Sequence, residues 1–190
     1  MPTATNVTTG KPAVAGAIYV QSADTSTLPT SAVAALTGFT ELGYVSEEGL
    51  VNANTFDSTD IKEWGGTTVL TTEQNYEDKF TFTLIETMNL AVLKEVFGAD
   101  NVTGSALSTG ITVKVKPGQH ADKKWVVDMI MRGGVLKRIC IPSASVSELA
   151  EIEYVNDDAV GYRVTLTCHP DSTGATHYEY MQEPTTSSPT

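Results

Sequence analysis

The run Lys79-Phe80-Thr81-Phe82-Thr83-Leu84-Ile85-Glu86 alternates apolar and polar residues with a period of two. Successive side chains of a strand point to opposite faces, so Phe80, Phe82 and Leu84 share one face and Thr81 and Thr83 the other. One face is therefore core, and the chain is committed to a half-buried sheet. The period then changes. Within 88–97, Leu90, Leu93, Val96 and Phe97 stand at helical spacing, with Thr87 as the expected N-cap and Gly98 where a helix end favours a left-handed residue. This predicts one short helix.

The remaining pattern is of strands and turns. Phe39–Val45 and Leu50–Phe56 read as strands joined by the polar turn Ser46-Glu47-Glu48-Gly49, and the weakly patterned Asp57–Trp64 ends at Gly65-Gly66. Residues 46–66 are accordingly expected to form a long loop. Ile111–Lys116 reads as a strand stopped by Pro117-Gly118. Gly133-Gly134 predicts a two-residue hairpin turn pairing 124–132 with 135–142. Ala150–Tyr154 and Tyr162–Cys168 both alternate and are expected to form another hairpin. Consecutive hairpins interrupted by one helix predict a mainly β fold, an antiparallel β-sandwich or barrel flanked by a short α-helix. At 190 residues one domain is expected, over 17–182, between a Thr/Gly-rich N-terminal arm at 1–16 and a flexible C-terminal tail at 183–190.

The search for chemistry returns little. His169, His177, Cys168 and Asp171 could be drawn as a metal site, but Cys168 is in phase with the apolar Tyr162, Val164 and Leu166 and should turn into the core. No Gly-x-Ser-x-Gly elbow accompanies any histidine, His120 reads as a turn residue, and no phosphate loop or dinucleotide fingerprint is present. The expectation is a protein with no catalytic, cofactor or metal site. Cys140 and Cys168 are expected as buried free thiols. No apolar run is long enough to span a membrane, and the N-terminus lacks the charge and apolar stretch of a secretion signal, so synthesis and assembly in a cytoplasm, without membrane insertion, are expected.

Charge narrows the partners. A net charge of -11 opposes tight binding to nucleic acid, since each neutralised phosphate requires a cation. Residues 1–60 carry a single base, Lys11, whereas Lys114, Lys116, Lys123, Lys124, Lys137 and Arg138 come in pairs later on. Such separation of sign suits copies docking head to tail, and equally an ordinary solvated surface. Trp64, in the polar segment 60–66, is either a contact anchor or a cover for its own sheet.

The order of elements from Gly38 to Gly104 carries a resemblance: the turn Leu42-Gly43-Tyr44-Val45-Ser46-Glu47-Glu48-Gly49-Leu50, the polar segment around Trp64, the strand Tyr76–Glu86 and the helix Leu90–Phe97. Together these resemble a major tail protein, the tail tube subunit of long-tailed, siphovirus-type bacteriophages. The resemblance implies six copies closing into a ring, rings stacking into a tube, and sheets joining as an inner barrel through which genomic DNA passes without tight binding. It implies a tape-measure protein inside, terminator and baseplate proteins at the ends, and residence in the virion tail. It places subunit or ring contacts in the loop and arms, here Glu47, Glu48, Leu50, Phe56 and Trp64. A bore that repels DNA would suit acids such as Glu151 and Glu153, with Lys114 and Lys116 as the competing lumen face. Segments 1–16 and 46–66 are expected to order on assembly. A virion decoration or adhesion module and a bacterial secretion-system tube are the alternative readings.

Overall fold

A computed structural model describes residues 2–13 and 17–184. Its strands are β1 (Gly10–Pro12), β2 (Ile18–Gln21), β3 (Phe39–Glu41), β4 (Val45–Lys62) and β5 (Thr68–Leu84). After the helix α1 (Leu90–Phe97) come β6 (Val102–Thr103), β7 (Thr112–Val113), β8 (Lys123–Met131), β9 (Leu136–Leu149), β10 (Tyr162–Cys168) and β11 (Tyr178–Gln182). The main sheet runs β3-β2-β8-β9-β10-β5-β4, every pairing antiparallel. β1 lies beside β2 along one edge of β8, and β11 takes the first half of the β9 edge whose second half holds β10. β6 and β7 form a separate two-stranded ladder.

The sheet curls over itself in the manner of a sandwich. Phe82 of β5 and Trp125 of β8 are two strands apart in the sheet, yet their rings meet at 6.3 Å. The alternation read in the sequence supplies the core: Phe80, Phe82 and Leu84 are buried and join Ile18, Trp125, Val127, Ile141, Val164 and Leu166. Each such aromatic or aliphatic side chain contributes about 1.5–3 kcal/mol on leaving water. The Trp125 indole donates to the Ala144 carbonyl, so the largest core residue buries no orphaned donor.

α1 closes the core with Val92, Leu93 and Val96. It starts at Leu90, two residues later than the periodicity suggested, because Asn89 rather than Thr87 is the cap: its side-chain oxygen accepts from the Ala91 N–H at 3.0 Å. Asn89 is itself held by Glu86, whose other oxygen accepts from the Tyr44 N–H. Gly43 stands beside that carboxylate at φ 75°, a left-handed conformation that favours glycine. Gly98 ends the helix at φ 89°, ψ 136°, positive in φ but extended rather than left-handed helical.

Several sequence expectations need correcting. Residues 46–66 are not a loop: Ser46–Lys62 belong to β4, which pairs with β5 from Leu50 to Lys62 with two register shifts, and only Glu63–Thr67 turn. β3 pairs with β2 and not with the Leu50–Phe56 segment. The β8–β9 hairpin is confirmed, but Met131 N–H meets the Val135 carbonyl, so the connection holds three residues, with Gly133 and Gly134 both at positive φ. Ala150–Tyr154 is not a strand, because β9 runs on to Leu149 and takes β10 as its partner. Ile111–Lys116 contributes only Thr112–Val113, paired with β6. Within the N-terminal arm Gly10–Pro12 lie on β8, while Met1 and residues 14–16 fall outside the described chain, as do residues 185–190 of the expected tail.

Candidate assembly surface

β5 divides into two parts. Over Lys79–Leu84 it has β10 on one edge and β4 on the other, and it alternates buried and half-buried residues. Over residues 68–78 it has β4 alone, so the pair leaves the body as a two-stranded arm, roughly 35 Å of strand at about 3.3 Å per residue. Residues 51–71 are exposed without exception. The arm nevertheless carries Phe56, Ile61, Trp64, Val69, Leu70 and Tyr76 in water, with Trp64 as open as a free residue at 103%. Ile61 stands opposite Leu70, which gathers apolar side chains near the tip.

The tip has its own local order. The Glu63 carboxylate accepts from the Gly65 and Thr67 N–H groups, and these backbone donors hold its pKa below the usual carboxylate range. This fixes the Glu63–Thr67 turn on which Trp64 sits. The root is held differently. Asp78 is fully buried; one of its oxygens accepts from the Asn52 amide at 2.7 Å, and the other meets the Thr176 hydroxyl and His177 Nδ1, each at 2.6 Å. The His177 ring lies edge-on to Phe80 at 5.2 Å. Asp78 thus ties both strands of the arm to the segment leading into β11. No reading of the sequence singled out Asp78, whose partners lie up to 99 residues away; its one signal is a charge continuing the Phe80–Leu84 face outward.

A second surface is an acidic groove of about 500 Å³. β4 carries extra residues here, since Val45 pairs with Leu84 and the next pairing is Leu50 with Phe82. Glu47 and Glu48 in that interruption share the groove with Glu151, Glu153 and Asp158, and the single base is Arg163, 3.6 Å from Glu48. Four of the residues selected from sequence therefore belong to one surface. Leu50 packs against the core of its own chain. Phe56 and Trp64 are on the arm.

A third surface surrounds β6 and β7. Lys94, Glu95, Asp100 and Lys123 line one groove here, Lys114 and Lys116 follow β7 in the chain, Lys123 is paired with Glu95 at 2.6 Å, and Asp122 with His169 at 3.5 Å. Leu107 and Val115 are exposed on this lobe.

The thiols of Cys140 and Cys168 are free and buried, and burial pushes them up to about 11 and about 12, away from nucleophilic use. Among the described residues no group of His, Cys, Asp and Glu is placed to hold a metal ion, and no helix is long and apolar enough to cross a membrane.

Compared with known proteins, residues 3–190 match the family model for phage tail tube protein. No curated protein matches the chain. The match covers nearly all of the sequence, so the chain belongs to the phage tail tube family: a structural protein of the virion tail, whose copies assemble with one another into a tube.

Proposed function

We propose that copies of this tail tube protein close into six-membered rings, and that the rings stack into the tail tube through which a siphovirus-type phage delivers its genome. The arm carries this reading. A two-stranded ribbon is marginal in water, and apolar side chains strung along it as Phe56, Ile61, Trp64, Val69, Leu70 and Tyr76 are here mark a contact surface. The other described residues of its own chain leave this surface uncovered, and copies of the chain are the abundant partner.

A conduit also needs a wall to which DNA does not adhere. The groove of Glu47, Glu48, Glu151, Glu153 and Asp158 supplies one, because a carboxylate surface neutralises no phosphates and releases no counterions. We place this groove toward the bore. A tape-measure protein fills the bore before ejection, and terminator and baseplate proteins close its ends. Assembly takes place in the host cytoplasm.

Negative-stain electron microscopy of the purified protein tests the first part, with six-fold rings and tubes expected. Discrete monomers or trimers at every concentration and salt would favour a decoration or adhesion module instead. For the bore, Glu151→Lys with Glu153→Lys is expected to leave tubes intact while slowing genome delivery. Unchanged delivery through such tubes would remove the groove from the lumen.

A further inference from the structure

Rings and filaments built from one chain use a heterologous contact, in which two different patches of the same molecule fit each other. The arm is one such patch. It is acidic: Asp57, Asp60, Glu63, Glu73 and Glu77 stand against Lys62. The lobe around β6 and β7 is the counterpart. Lys114 and Lys116 are exposed and, with Lys94, make no ion pair among the described residues. Arg138 is occupied by Asp128, Lys137 by Glu179 and Lys123 by Glu95, and Lys124 donates to the Ser26 carbonyl. Lys11 and Arg132, also exposed and without an ion pair among the described residues, have no exposed large apolar side chain next to them in the chain as Lys114 and Lys116 have in Val115.

We infer that the lobe at 102–120, with Lys94, Lys114 and Lys116 as its charges and Leu107 and Val115 as its apolar contacts, seats the β4–β5 arm of a second copy. The inference rests on the tube reading above and names the receiving surface of the same contact. Chain geometry agrees with it. β5 begins at the arm tip, Thr68, enters the body at Lys79 and ends at Leu84; the chain then enters α1, which contacts β6. Arm tip and lobe therefore lie toward opposite ends of one strand, as a head-to-tail contact requires. The Lys114 N–H is bonded to the Asn101 carbonyl, which anchors the segment to the lobe, and residues 115–119 are exposed and belong to no strand. Exposed Val115, flanked by its two lysines, offers an apolar spot between two positive charges. The arm tip offers apolar side chains bordered by carboxylates, the matching arrangement.

The test is a charge swap. In one variant Lys114→Glu and Lys116→Glu make arm and lobe both acidic; in a second, Asp57→Lys, Glu73→Lys and Asp60→Asn turn the arm net basic like the lobe, the amide at 60 keeping an acceptor for the Thr68 and Thr71 hydroxyls. All five substituted side chains are exposed, so the thermal unfolding of each monomer should stay at the wild-type value. Each variant alone is expected to raise the critical concentration for tube growth about tenfold, as attraction becomes repulsion. An equimolar mixture is expected to recover growth within about threefold of wild type, because each arm then finds a lobe of opposite charge. Wild-type tubes together with unimpaired Lys114→Glu/Lys116→Glu tubes would overturn the contact and leave the tube reading standing. So would a mixture that grows no better than either variant alone. Wild-type protein that forms no tube under any condition would overturn the tube reading and the contact with it.

Discussion

The two halves of β5 belong to one strand and obey different physics. From Asp78 to Leu84 every second residue is buried, and the strand is held between β4 and β10 by a core that includes Phe82 and Trp125. From Thr68 to Glu77 the same backbone pairs with β4 alone and buries nothing. Hydrogen bonding is continuous across the boundary, so ladder bonds alone do not distinguish the halves. What changes at Asp78 is the availability of a third layer. The body completes its burial within one chain, whereas the arm, among the described residues, finds nothing to cover it.

The sharpest way to break this contrast is Phe82→Ala. It should cost about 3–5 kcal/mol in chemical denaturation, as buried aromatic truncations do; a cost near that of an arm substitution would erase the distinction. Next comes the boundary itself. Asp78→Ala leaves the Asn52, Thr176 and His177 donors without their shared acceptor, and about 3 kcal/mol of destabilisation is expected. Hydrogen exchange should then show the arm root and the approach to β11 opening together. In the arm, Trp64→Ala should change monomer stability by less than about 0.5 kcal/mol, since the indole contacts water on all sides. The same variant should impair tube growth, which light scattering follows.

The smallest effect is local and depends on acid. Tyr178, then Thr173 and Ala175, donate to Asp171 and hold its carboxyl at about 2, below its ordinary 3.8. A depressed folded value stabilises above the unfolded pKa, and that contribution is lost as pH falls through the folded one. The Asp171–Ala175 turn should therefore stay closed at pH 5 and open between about 3.8 and about 2, read from the Tyr178 ring resonances.

What could be read from sequence divides along the same boundary. The Lys79–Glu86 alternation is legible because burial imposes a period of two, and the helix because its apolar stripe must face the core. β4 beyond Phe56 is illegible for the same reason. Ser58 and Asp60 face no core, so nothing selects apolar residues there, and the segment reads as loop although it forms six residue pairs with β5. Ala150–Tyr154 fails in the opposite direction: it alternates, but the strand it would join already has β9 and β5 as neighbours. The acidic groove was half legible. Glu47, Glu48, Glu151 and Glu153 could be chosen singly, while their convergence depends on how the sheet curls. Asp78 and His177 required the fold.

The interruptions in the β4–β5 ladder have a consequence at larger scale. Register shifts occur between Val45 and Leu50, between Thr55 and Asp57 and between Ile61 and Lys62, and Asn75, opposite the second, takes φ 55°. A uniform ribbon of Thr and Asn could slide by two residues, about 7 Å, at little cost. Unequal steps at fixed places forbid that, because a displaced strand would oppose each irregularity with regular backbone. The distance from tip to body is thus counted out in residues and identical in every copy. Such a subunit is its own gauge: a polymer spaced by it can hold one pitch from the first layer to the last.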